Sequence, residues 1–116
     1  MARRLSNLVD SQGQFCPNDQ IHFTFKGHKF TAVVTASGLI HNVKWATPVG
    51  KITPVFTERS FESLTDFTET CIQEKLDEYH TRYSAWRRVR HTRTGKPMEQ
   101  IYKSYSENKL MKNIKK

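Results

Sequence analysis

Between Gln20 and Phe25, Ile21, Phe23 and Phe25 alternate with His22 and Thr24. That period of two predicts a half-buried strand. Lys26-Gly27 breaks the run, and H-K-F-T-A-V-V-T follows. Phe30, Ala32 and Val34 there share one face, while Lys29, Thr31, Val33 and Thr35 share the other. A-S-G at 36–38 is a turn by composition, and L-I-H-N-V-K-W-A predicts a third strand. Short turns carrying glycine join these runs as a small antiparallel meander. Residues 46–56 hold two prolines and a glycine. Proline cannot donate to a strand ladder, so this stretch is expected as a loop or an irregular edge strand.

The period then changes. From Ser60 to Tyr79, Phe61, Leu64, Phe67, Cys71, Ile72, Leu76 and Tyr79 recur at three- and four-residue spacing. This predicts the main amphipathic helix. Thr57 or Ser60 is placed to cap it, and Glu58 and Glu62 suit its positive N-terminus. Its solvent face is acidic, with Asp66, Glu69, Glu74, Asp77 and Glu78. His80–Ser84 ends the helix, and Ala85–Thr92 returns to extended character, predicting a closing strand. Its apolar members, Trp86 and Val89, lie three apart, so either a bulge intervenes or the strand is covered on both sides. T-R-T-G-K-P makes a turn, and Pro97 suits the first position of a short C-terminal helix lined by Met98, Ile101, Tyr102 and Tyr105. The fold class expected is α+β: a meander packed with one main helix, a closing strand and a short helix. Residues 1–19 read as a flexible or surface-lying lead-in, 20–105 as the domain, and 106–116 as a basic polar tail.

Charge sharpens this outline. Of a net +8, residues 1–60 carry seven Lys/Arg against three Asp/Glu. Residues 61–80 carry one against six, and residues 81–116 carry eleven against two. A basic C-terminal third following an acidic helix points to a polyanion, most often nucleic acid. Arg87, Arg88, Arg90 and Arg93 fall within seven residues, beside Trp86, His91 and Lys96. Guanidinium forks donate two hydrogen bonds to phosphate oxygens. The candidate nucleic-acid-binding residues are therefore Arg87, Arg88, Arg90, Arg93 and Lys96, extended by Lys44 and Lys103. Trp86 is a candidate for stacking on a base, against the alternative that it is core; Trp45 carries the same two readings.

Other chemistry finds little support. His22, His28, His41, His80 and His91 make no pair at metal-ligand spacing. No nucleophile elbow or phosphate-binding glycine loop occurs. Cys16 and Cys71 are 55 positions apart and read as two free thiols, with Cys71 on the core face of its helix. No apolar run reaches the roughly 18 residues of a membrane span, and no signal-peptide pattern opens the chain. The expectation is a non-enzymatic, monomeric domain with no cofactor, no metal and no membrane contact.

In order and spacing the chain resembles a RAMA domain, a module associated with restriction enzymes and adenine methylases and found in eukaryotic nuclear proteins. F-K-G-H-K-F-T-A-V-V-T-A-S-G-L-I is similar to the family's opening hairpin, and R-S-F-E-S-L-T-D-F-T-E-T-C-I to its helix entry. A-W-R-R-V-R-H-T-R-T-G-K-P-M-E-Q-I is similar to its closing unit. Leu64, Ala85 and Met98 depart from the usual Pro, Gly and Leu. The resemblance spans roughly residues 20–105. It implies binding of DNA, expected as double-stranded, in a nuclear chromatin or genome-maintenance protein. The alternative is a protein–protein interaction module of a nuclear scaffold, without direct DNA contact.

Overall fold

The computed structural model describes residues 5–9, 15–78 and 84–114. Four strands follow one another as a meander: β1 (Asp19–Phe25), β2 (His28–Val34), β3 (Ile40–Ala46) and β4 (Ile52–Pro54). Helix α2 (Leu64–Leu76) comes next, preceded near the N-terminus by a single turn, α1 (Leu5–Leu8). The chain closes with α3 (Ala85–Arg88), the two-residue β5 (Arg90–His91) and α4 (Met98–Ile114). All pairings are antiparallel, and β5 returns beside β1, so the sheet order is β4-β3-β2-β1-β5. The α+β expectation is met, with residues 46–56 supplying a short edge strand.

The apolar positions of the strands face α2. Ile21, Phe23, Phe30, Ala32, Val34, Ile40 and Val43 are all buried there with Leu64, Phe67, Cys71 and Ile72. Phe67 meets Phe23 edge-on at 5.3 Å between centroids and tilts against Phe61 at 5.8 Å. Such aromatic pairs add about 0.5–1.5 kcal/mol to their area burial.

Several boundaries differ from the sequence expectation, each for a tertiary reason. The main helix starts at Leu64, and its cap is Ser63, whose Oγ accepts from the Asp66 N–H at 3.0 Å. Thr57 and Ser60 lie too early because Phe61 is held extended by two 2.8 Å backbone bonds to Ile40. The helix stops at Leu76, where Asp77 turns left-handed at φ 52°; Tyr79 and His80 lie outside the described residues. The predicted closing strand over 85–92 is mostly replaced by α3. Its Val89 N–H bonds the Ala85 carbonyl at 2.8 Å before two residues extend as β5. The three-residue spacing of Trp86 and Val89 is the spacing of a helical turn. The basic tail continues α4 as far as Ile114.

Described residues of the lead-in contribute to the core. Leu5, Leu8 and Phe15 are buried in the core, and the Phe15 ring tilts against buried His91 at 4.9 Å. A sparse apolar pattern concealed this, because three isolated residues form no period. Phe15→Ala should cost about 3–5 kcal/mol, as for a core phenylalanine. Urea unfolding measures it, and a midpoint equal to wild type would show that the lead-in carries no core.

Candidate nucleic-acid interface

Residues opposed across a sheet share a face, so strand register decides which side chains meet. Arg90 lies opposite His22, His22 opposite Thr31, Thr31 opposite Lys44, and Lys44 opposite Pro54. These five form one row across all the strands, on the face turned away from α2. The neighbouring row is Thr24, Lys29, Ala46 and Ile52. Arg90, Lys44 and Lys29 are exposed. At about 4.8 Å per strand, Arg90 and Lys44 stand about 14 Å apart. Among the described residues, the one carboxylate on a strand is Asp19, and its partner Val34 places it on the opposite face. The exposed carboxylates Asp66 and Glu74 lie on α2, on the far side of the sheet. The open sheet face thus carries cations and no strand carboxylate, whereas the helix side carries both signs, with Asp66 and Glu74 on α2 and Arg87 and Arg88 on α3.

The seven predicted basic residues are not gathered in one place. Lys44 and Arg90 share the sheet row. Arg93 and Lys96 lie in the turn that follows β5, at the end of the sheet where β1 begins. Arg87 and Arg88 sit on α3, which packs against α2 and α4 on the helix side. Arg87 Nε lies 3.5 Å from Glu99 on α4, and exposed Lys103 follows one turn after Glu99. Trp86 is half-buried and packs edge-on against Tyr102 at 5.8 Å. Trp45 is half-buried too, stacks on Phe30, and donates from Nε1 to His28 Nδ1 at 3.0 Å. It lines a cavity of about 260 Å³ with Lys26, His28, Lys75, Leu76 and Glu78. Lys29 and His22 were missed as site residues. The signal for Lys29 was present in its parity with Thr31 and Val33, opposite to buried Phe30.

The turn after β5 is fastened to β1 by one carboxylate. Asp19 Oδ2 accepts from the Cys16 N–H at 2.8 Å, from Arg93 Nη2 at 2.9 Å, and meets buried His91 Nε2 at 2.7 Å. Nδ1 of His91 in turn meets the Thr94 hydroxyl at 2.8 Å. Asp19, His91 and Thr94 connect as an acid–base–hydroxyl relay would. Arg93 bonds the same oxygen, and the cluster ties the turn to the strand. Burial opposes ionisation of Asp19, but the bonds from Arg93, the Cys16 amide and His91 outweigh it and hold the carboxyl below its ordinary range. The same pairing with Asp19 raises the Arg93 guanidinium. Arg90, by contrast, makes a 2.8 Å bond from Nη1 to the Gly95 carbonyl. Gly95 itself sits at φ 74°, where a side chain would be strained.

His22 sits between the cations of the open face, with Nδ1 at 2.8 Å from the Thr92 hydroxyl. Its pKa is lowered first by burial and then by the charges of Lys29 and Arg90. Cys71 is fully buried, and burial, then Glu74, push its thiol up, so it stays protonated. Both cysteines are free. Among the described residues, no three His, Cys, Asp or Glu side chains gather closely enough to hold a metal. None of the described helices is long and apolar enough to cross a membrane.

Two pH effects follow. A depressed Asp19 carboxyl stabilises the fold above its ordinary value of 3.8 and loses that contribution as pH falls through its lower folded value. Asp19→Asn should therefore cost about 1.5–3 kcal/mol at pH 7 and much less at pH 2.5, read from urea midpoints at the two pH values. The His22 imidazole should titrate below 6.5 by NMR, and Lys29→Ala with Arg90→Ala should move it upward. An unmoved midpoint would mean these cations do not face it.

In comparisons with known proteins, no family model, no curated protein and no solved structure matches this chain.

Proposed function

We propose that this domain is a non-enzymatic DNA-binding module that meets the phosphate backbone with the open face of its sheet. The observation that carries the reading is a sheet face that bears cations without a strand carboxylate among them. Lys29, Lys44 and Arg90 stand exposed in adjoining rows, and no strand residue on that face bears a carboxylate. A field of one sign on one face steers a polyanion to that face and orients it there. Gln20, Thr24 and Thr31 on the same face add hydrogen-bonding groups able to meet phosphate and sugar oxygens.

Among the described residues, no exposed aromatic ring lies on this face, which supports a duplex over a single strand. Phe23, Phe30 and Trp45 all point toward α2, and Trp86 spends its ring on Tyr102. Single-strand binding relies on bases stacking on exposed rings; a cationic face with polar side chains suits a duplex backbone better. The resemblance of residues 20–105 to RAMA domains supports the same reading, together with a nuclear location.

An end-labelled duplex titrated by anisotropy tests this. Binding should weaken steeply with salt, since each neutralised phosphate releases counterions. Lys44→Glu with Arg90→Glu should weaken it at least about tenfold and reduce the salt slope by roughly two or more. Lys75→Gln, on the helix side, should leave it unchanged. No binding at low salt, or full binding by the double reversal, would sink the reading. Capture of a basic protein through the acidic face of α2, without DNA binding, would favour the interaction-module alternative.

A further inference from the structure

Among the described residues, the exposed large hydrophobic side chains are Val49, 91% exposed, and Ile52, 65% exposed. Both belong to the β3–β4 hairpin. Ile52 pairs with Ala46, which pairs with Lys29, so Ile52 lies on the open cationic face about 10 Å from Lys29. Val49 stands at the apex of the turn, beyond the end of the sheet.

This apex is braced. The Thr47 N–H bonds the Lys51 carbonyl at 2.9 Å and the Gly50 N–H bonds the Thr47 carbonyl at 2.9 Å. The Lys51 N–H adds a 3.2 Å bond to the Thr47 hydroxyl. Gly50 provides the left-handed corner at φ 91°. Pro48 closes on the β1–β2 turn, where a Cβ on Gly27 would meet its Cγ at 3.4 Å. Lys29 and Lys51 are exposed around the same end of the sheet, and Lys26 there pairs with Glu78 at 2.6 Å. A braced tip that holds an aliphatic side chain in water, flanked by Lys29 and Lys51, gains nothing from that side chain within the fold.

We infer that the β3–β4 hairpin tip is an apolar wedge: Val49, backed by Pro48 and Ile52, enters a DNA groove and seats against a base step. Lys29, Lys51 and Lys44 hold the flanking phosphates. Apolar side chains inserted in this way partly unstack the step and kink the duplex, and the bend brings more phosphate onto the protein. The inference rests on the reading of the open face as a DNA surface. The occupant is a duplex rather than an anionic membrane: the described residues offer two exposed large aliphatic side chains, without the Trp and Phe that anchor a surface in the headgroup region.

The test uses the full chain with Val49→Ser and Ile52→Thr together, and separately Val49→Phe. Both sites are exposed, so folding should be retained, with thermal unfolding as the control. Energy transfer between dyes at the ends of a short duplex reads bending, and anisotropy reads affinity. The polar double variant should bind about tenfold more weakly, with an unchanged salt slope and little bending. Val49→Phe should bend the duplex more than wild type does. If wild type shows salt-dependent binding but both variants match it in affinity and bend, the wedge is overturned and the DNA-binding face stands. If wild type ignores DNA at low salt, both fail. Binding to phosphatidylserine vesicles that depends on Val49 and exceeds binding to the duplex would overturn the wedge in favour of a membrane.

Discussion

In a pleated strand, successive side chains alternate between faces, and in this domain that alternation separates two chemistries. Most apolar residues of β1, β2 and β3 meet α2, and the residues between them are His22, Thr24, Lys29, Thr31, His41 and Lys44, with Val33 and Ala46 as the apolar members of the open face. The separation survives in β3 only because of one irregularity. Ile40 and Val43 are both buried although they lie three apart. Asn42, left-handed at φ 57°, is an extra residue opposite β2, where the register shifts between Thr31 and Val33. Asparagine tolerates that conformation better than most side chains. Without the bulge, one half of β3 would turn over, and Lys44 would point into the core or Ile40 into water.

The charge pattern follows from the same constraint. Once the meander is in register, the lysines of β2 and β3 can only face away from the core, because a buried unpaired ammonium would be very costly. β5 then brings Arg90 into the row beside His22. Acidic groups gather on α2 and just past its end, where Glu74 pairs with Arg59 and Glu78 with Lys26 at the rim. Those exposed pairs contribute little to stability. Their larger effect is to keep negative charge off the open face.

The Asp19 cluster links the two ends of the chain. Through His91, Arg93 and the Cys16 amide it joins the N-terminal lead-in, β1 and the turn after β5. Phe15 covers His91 from the core side. Arg93, a candidate phosphate contact, also takes part in this clamp through its bond to Asp19. A guanidinium paired with a carboxylate can still approach phosphate.

Local pattern determined much of this protein: the period of two in β1 to β3, the period of 3.6 in α2, the acidic helix face, and the basic character of the closing third. These depend on neighbours within a few residues, and the sequence states them directly. Tertiary contacts decided what local pattern cannot encode. Phe61, paired with Ile40, delayed the helix start to Leu64, and packing of Trp86 on Tyr102 and burial of Val89 made a helical turn of an expected strand. Leu5, Leu8 and Phe15 joined the core without any period to announce them. The candidate site divided in the same way. Its chemistry, lysine and arginine without carboxylates, was legible residue by residue. Its membership was not, because Arg90 and Lys44 are 46 positions apart and come into one row only through the register of three strand pairings.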